Sequence, residues 1–248
     1  MKESAITITS LTKRFEDKLA VDNLSLEVAN GELFGLLGPN GAGKTTTISI
    51  LCGLIKPTSG AAQILGYDIE KDTQKIKEQL GVCIQETAIY PYLSGRENLE
   101  LFGNLYGMDK KDIRERSIML LEKVGLTEDA KRVTSKYSGG MKRRLSLALA
   151  LIQDPKIAFL DEPTVALDPQ SRRAVWDFIK EQKVKGKTVI LTTHYMEEAE
   201  ELCDRVGIID HGKLIALGTP KDLVAKGGVK NLEELFIQLT GRNIREEV

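Results

Sequence analysis

The run Gly38-Pro39-Asn40-Gly41-Ala42-Gly43-Lys44-Thr45-Thr46 constrains this chain more than any other stretch. It has the spacing G-x-x-x-x-G-K-[ST] of a phosphate-binding loop. Glycines let the backbone curl so that successive N–H groups point inward at phosphate oxygens. The Lys44 ammonium neutralises the β- and γ-phosphates, and the Thr45 hydroxyl is placed to ligate Mg²⁺. The flanks agree. Glu32-Leu33-Phe34-Gly35-Leu36-Leu37 reads as a buried strand, and residues 45–54 read as a helix whose N-terminus faces the anion. From average residue usage, four fixed positions match by accident in roughly 1% of chains this long. Residues 38–46 are therefore candidate nucleotide contacts.

A second stretch adds chemistry. Ile157-Ala158-Phe159-Leu160 is a fully apolar run that ends in Asp161-Glu162. A buried strand of this kind delivers Asp161 to the C-terminal edge of a sheet, where it holds Mg²⁺ through water. Glu162, one residue on, is placed as a general base on water. The strand Lys187-Thr188-Val189-Ile190-Leu191-Thr192-Thr193 ends in His194, which the pattern places at the same edge as Lys44 and Asp161.

Alternating apolar residues over 5–30 predict β-structure, with Lys13-Arg14-Phe15-Glu16 in a turn. Phe15 there is either a platform for a purine ring or an ordinary strand-end aromatic. Strand signals give way to helix signals from about residue 88 to 136. Ser94-Gly95-Arg96-Glu97 has capping-box spacing and leads a stripe of Leu99, Phe102 and Tyr106. A second helix carries Ile113, Leu120, Leu121 and Val124, with Gly125 as its stop. Tyr90-Pro91-Tyr92 is a protein contact or local packing in equal measure. Ser138-Gly139-Gly140, taken alone, is a plain helix start. Leu232, Leu235, Phe236 and Leu239 form an amphipathic helix that packs on its own core or serves a dimer.

Composition excludes some classes. A formal net charge of -1 over 248 residues argues against nucleic acid as a partner. Cys52, Cys83 and Cys203 form no CxxC pair, and with two histidines there is no zinc set. Buried thiols in a reducing cytosol are expected. No signal-peptide core is evident, and no apolar run approaches the ~18 residues of a membrane span. The expectation is a soluble chain whose membrane role, if any, needs a partner.

These motifs together resemble the ATP-binding subunits of ABC transporters, in family order over nearly the whole chain. Phe15 is the aromatic before the second strand, and residues 38–46 are the Walker A loop. Gln85 stands as the Q-loop glutamine, Tyr137-Ser138-Gly139-Gly140-Met141 as the signature loop and Phe159-Leu160-Asp161-Glu162 as Walker B. Ala166-Leu167-Asp168 is the D-loop and His194 the switch histidine. The resemblance implies an α/β fold. Its P-loop NTPase core is a mostly parallel sheet, with an N-terminal antiparallel β subdomain and an inserted helical subdomain. Residues 1–228 would be the ATPase domain, with helices inserted over about 88–152, and residues 229–248 a C-terminal amphipathic helix and tail.

The resemblance also assigns roles. Phe15 stacks on adenine, and Gln85 senses Mg²⁺ and the attacking water. His194 holds the γ-phosphate and orients Glu162. Ser138, Gly139 and Gly140 contact phosphate in trans, across a head-to-tail dimer that would be a homodimer. A separate transmembrane permease would hold the subunit on the inner face of the cell membrane. The Ser-Gly-Gly-Met form, His194-Tyr195-Met196-Glu197-Glu198-Ala199 and the Leu-Glu-Glu-Leu-Phe ending resemble the branch serving drug, ion or polysaccharide exporters (ABC-2 type). Met141 replaces the usual glutamine, and Val165 stands where serine is frequent. The alternative is a soluble, non-transport ABC ATPase acting on ribosomes or another assembly. Such proteins resemble two cassettes in tandem joined by a charged linker. A P-loop kinase would have no use for Ser138-Gly139-Gly140.

Overall fold

The computed structural model describes residues 3–84 and 88–241. Ile6, Ile8, Leu24, Leu26 and Val28 are buried while polar neighbours face out, and this alternation makes strands β1 (Ser4–Phe15) and β2 (Lys18–Ala29). β3 (Leu33–Leu37) is buried at every position and leads through residues 38–43 into α1 (Lys44–Leu51). β4 (Ser59–Ile64), β5 (Tyr67–Asp68) and the short α2 (Thr73–Lys77) follow. Next come β6 (Leu80–Cys83), α3 (Gly95–Leu105), α4 (Lys110–Lys123) and a 3-10 turn at Thr134–Lys136. α5 (Gly139–Ala150), β7 (Ile157–Asp161) and α6 (Pro169–Val184) come after that turn. The chain then forms β8 (Thr188–Thr193), α7 (Met196–Leu202), β9 (Arg205–Asp210), β10 (Lys213–Gly218), α8 (Pro220–Gly227) and α9 (Leu232–Thr240).

Two compact units divide these elements: Met1–Lys77 with Thr188–Val248, and Glu78–Lys187. In the first unit β2, β1, β4 and β5 form an antiparallel sheet in that order, with Ile8 opposite Leu26 and Leu11 opposite Leu24. A second set runs β10-β9-β3-β8; β3 is parallel to both β8 and β9, and β10 is antiparallel to β9. Parallel strands covered on both faces read as near-continuous apolar runs, as β3 does, and β8 is buried at every position with three apolar residues among three threonines. Leu37 lies opposite Thr193, so the next residues, Gly38 and His194, sit at one C-terminal edge. Such edges are where open α/β sheets bind ligands.

α9 answers the question left by its amphipathic pattern. Leu232, Leu235 and Phe236 are buried in its own unit, and the Leu232 N–H donates to Glu200 Oε1 at 2.5 Å. Three of the four stripe residues face the chain's own core, and Leu239 is 41% exposed.

In the second unit β6 and β7 are parallel, with Cys83 opposite Leu160. Gly125, at φ 64, follows the end of α4, and Arg144 of α5 donates to the carbonyls of Val124 (2.8 Å) and Gly125 (3.0 Å). This is a cation on the orphan carbonyls of a helix C-terminus. Asn98 is fully buried. Its amide accepts from the Tyr90 N–H (2.8 Å) and donates to the carbonyls of Tyr90, Leu93 and Ser94 at 3.2, 3.3 and 3.0 Å. Thr134 and Ser135 bind the same loop. The Thr134 hydroxyl donates to Tyr90 O (2.9 Å), its N–H to Leu93 O (2.9 Å), and the Ser135 N–H to Pro91 O (2.8 Å). Tyr90 packs edge-on to Phe102 at 6.4 Å yet stays 52% exposed, and Tyr92 is 88% exposed, so local packing covers the first only in part.

The capping box at α3 is complete. Ser94 Oγ accepts from the Glu97 N–H at 3.2 Å, and Glu97 accepts from the Ser94 N–H at 2.7 Å. Hydrogen bonds from the Ser94 side chain and then its backbone hold the Glu97 carboxyl below its ordinary value of 4.5. A depressed carboxylate adds stability above that ordinary value and loses it as pH falls through the folded-state value. Protection factors for amide exchange in the first turn of α3, taken against the intrinsic rate at each pH, should therefore fall below about pH 4.5 in the parent. Ser94→Ala should cost about 1 kcal/mol in urea unfolding and shrink that pH step, since the backbone N–H of residue 94 still donates to Glu97.

The three cysteines are buried thiols. Among the described residues no helix is long and apolar enough to cross a membrane.

Candidate functional site

The loop after β3 is shaped by close backbone approaches. A Cβ on Gly38 would lie 2.4 Å from the Ile209 carbonyl oxygen. Gly43 has φ 107, and a Cβ there would lie 2.3 Å from the Ala20 carbonyl. Contacts under 3 Å with backbone leave no room for a side chain at either position. Gly43 is also the N-cap of α1, which has neither a side-chain cap nor an acid in its first turn. The positive end of that helix is thus offered to a ligand. Lys44 is buried, and its ammonium curls back over the loop to donate to Gly38 O (2.7 Å) and Pro39 O (3.2 Å). Asn40, Gly41 and Thr45 face solvent. An uncapped helix start with a glycine-rich turn and an ammonium folded over it suits a polyphosphate.

Replacing Gly43 by alanine forces an L side chain into a left-handed backbone and against a carbonyl. We expect Gly43→Ala to lose at least about 2 kcal/mol in urea unfolding, with ATP binding reduced in the fraction that folds.

The first unit holds two more predicted residues. His194 follows β8 at the edge shared with Gly38, half-buried, with its ring 4.2 Å from that of Tyr195. Phe15 ends β1, 44% exposed, and the Lys13 ammonium lies 4.8 Å from its ring centroid. That cation–π contact holds the ring at the surface.

In the second unit β7 delivers Asp161 buried, 2% exposed, and Glu162 follows at 9% exposure. Glu162 has φ 51, a left-handed conformation that turns the chain sharply off the strand. Ser138 caps α5, its hydroxyl oxygen accepting from the Met141 N–H at 3.2 Å. The hydroxyl proton is left to donate outward. Ser138, Gly139 and Gly140 line a cleft of about 420 Å³ with Leu167 and Asp168. Asp168 caps α6 by accepting from the Ser171 N–H at 2.9 Å, a bond that lowers its pKa. Two helix N-termini therefore border one cleft, and their dipoles favour an anion there. Gln85 lies outside the described residues.

Arg143 is a functional candidate that the sequence reading missed. It is buried, and it donates to three main-chain carbonyls at the ends of β6 and β7. No sequence signal singled it out: 143 shares a helical stripe with the core residues Leu147 and Ala150, but 144 shares one with Ala148 and Leu151 in the same way.

Known proteins place this geometry in a family. Residues 21–165 match the family described as ABC transporter. The chain is 46% identical over 237 residues to the linearmycin resistance ATP-binding protein LnrL of Bacillus subtilis, covering 96% of this chain and 75% of that one. It is 42% identical over 246 residues to the doxorubicin resistance ATP-binding protein DrrA of Mycobacterium tuberculosis, covering 98% of this chain and 73% of that protein. Its fold matches the dimeric post-hydrolysis ATP-binding cassette MJ0796 bound to ADP and Pi. The TM-score is 0.80 at 27% identity, over 86% of this chain and 98% of that one. The chain belongs to the ABC transporter family, as an ATP-binding subunit whose hydrolysis of ATP powers a membrane transporter.

Proposed function

We propose that this subunit drives an exporter of drug-like molecules as one half of a head-to-tail homodimer. The observation that carries the dimer is the cleft at the start of α5. There the Ser138 hydroxyl and the N-termini of α5 and α6 offer anion-binding groups, and no cation but Arg144 lines it. A γ-phosphate presented by the P-loop of a second copy matches that chemistry. Each copy supplies the loop of residues 38–46 to one nucleotide and Ser138, Gly139 and Gly140 to the other, so ATP joins the two and hydrolysis releases them. Developing charge on the transferred phosphoryl is met by helix dipoles where other P-loop enzymes use an arginine.

Within one nucleotide site Lys44 binds the β- and γ-phosphates, and Phe15 stacks on the base. His194 holds the γ-phosphate, and Glu162 takes a proton from the attacking water. Mg²⁺ fits the donors present, since the Thr45 hydroxyl, the Asp161 carboxylate and Gln85 are hard oxygen ligands. No group of three or more His, Cys, Asp or Glu among the described residues would hold a metal alone, so phosphate oxygens complete the set. When bound, the ion neutralises phosphate charge. Residues 1–228 act as the ATPase domain, with helices over 88–152 and a tail from 229. A separate permease would hold the subunit at the inner face of the cell membrane. Linearmycin and doxorubicin resistance in the relatives, together with the Ser-Gly-Gly-Met form, support export of drug-like cargo by the ABC-2 branch.

Affinity purification of the tagged chain from detergent-solubilised membranes of its own cell tests this reading. A polytopic membrane protein recovered at near-equal stoichiometry is the expected result. Recovery of ribosomal proteins in its place would favour the non-transport alternative.

A further inference from the structure

Arg143 stands on the second turn of α5, and its side chain is 6% exposed. Nη1–H donates to Ile84 O at 2.6 Å and Nε–H to Glu162 O at 3.1 Å, while Nη2–H donates to Asp161 O. These acceptors lie where β6 and β7, paired through Cys83 and Leu160, come to an end. Beyond that pair β6 ends at Cys83 and the chain after β7 enters the left-handed turn at Glu162. Carbonyls that leave a ladder need new donors, and a planar guanidinium serves several at once. The oxygens of Asp161 and Glu162 flank the Glu162 Cα on both sides. A strained backbone of this kind persists only where its surroundings hold it.

We infer that Arg143 is a positioning residue for ATP hydrolysis. By fixing both carbonyls around Glu162 it sets the direction in which that carboxylate leaves the main chain. The first turn of the same helix carries Ser138, Gly139 and Gly140. Nucleotide on that turn and the base at Glu162 are therefore joined by one rigid turn of helix and one side chain. The inference rests on the general-base reading of Glu162 given above.

The test is a double-mutant cycle on the full chain with the parent, Arg143→Lys, Glu162→Gln and the double variant, followed by steady-state and single-turnover ATP hydrolysis. Lysine keeps the charge but is a point donor that does not span three carbonyls. Arg143→Lys should keep its thermal transition and its KM for ATP while kcat falls on the order of 10²-fold, the penalty of a small misplacement. The double variant should turn over no more slowly than Glu162→Gln alone. In Arg143→Ala, millimolar guanidinium ion should restore part of kcat, which a loss of packing alone would not allow. Parent-like kcat in Arg143→Lys would overturn the inference and leave the general base standing. So would additive losses in the double variant, or no rescue of folded Arg143→Ala. Parent-like turnover in Glu162→Gln would remove the general base and, with it, the inference.

Discussion

Glu162→Gln is expected to bind ATP within a few-fold of the parent while its turnover falls by about 10²- to 10⁴-fold, the usual contribution of a positioned general base. The amide has the carboxylate's shape and keeps a hydrogen-bonding oxygen, but it does not take a proton at working pH. The backbone should not shift, because Arg143 binds the main-chain oxygen of residue 162 and not its side chain. Glutamine also adopts the left-handed φ of 51 as readily as glutamate. Nucleotide therefore enters and stays. If ATP closes two copies on each other, the variant should run as a dimer by light scattering with ATP and as a monomer with ADP. Parent-like turnover would sink the assignment of Glu162 as base. Lost turnover without an ATP-dependent dimer would leave the base intact and remove the head-to-tail pairing.

Lys44→Ala should act earlier, on binding. Its ammonium is buried and oriented by two loop carbonyls before any phosphate arrives, so the charge is pre-placed. Truncating one member of a buried, hydrogen-bonded charge pair costs about 2–5 kcal/mol, and each 1.4 kcal/mol is about tenfold. Equilibrium titration with a fluorescent ATP analogue should show Kd raised by about 30-fold to several thousand-fold. The fold should survive, because truncation to alanine opens the loop to water that takes the ammonium's place at the two carbonyls, which keeps the loss within about 1–3 kcal/mol each. An affinity within about threefold of the parent would show that the loop's N–H groups alone hold the phosphates. Together the two variants separate the steps. One loses nucleotide, and the other keeps nucleotide without consuming it.

How much of this was legible beforehand depends on how local each cause is. The loop at 38–46 could be read because positive φ at Gly43 and an uncapped helix start are written in adjacent residues. The capping box of Ser94 and Glu97 closes over three residues, and Gly125 ends α4 where a stop was expected. The apolar strand before Asp161 carried its own burial signal. Arg143 was not legible because its partners lie 18, 19 and 59 residues away, and an arginine next to Lys142 and Arg144 looks like a solvated charge run. Asn98 was hidden in the same way, since a polar residue in a helix gives no sign that it faces inward toward a loop. The direction of the α9 stripe needed the tertiary structure, because a helix apolar on one face fits its own core or a partner equally well. Lys13, Arg14 and Phe15 were expected in a turn but belong to β1, and there the i, i+2 spacing puts Lys13 and Phe15 on one face of the strand.

The loop at residues 90–93 holds a thermodynamic consequence. Most exposed loops that meet a partner lose conformational freedom on doing so, at about 1–2 kcal/mol for each backbone residue fixed. Here Asn98, Thr134 and Ser135 have already fixed that backbone from inside, while Tyr92 stands outside at 88% exposure. A protein that receives Tyr92 meets a rigid peg, and the ordering entropy was spent when the chain folded. Association at this spot should therefore show a small entropic penalty in calorimetry. Loosening the clamp with Asn98→Ala should enlarge that penalty without altering the aromatic ring that makes the contact.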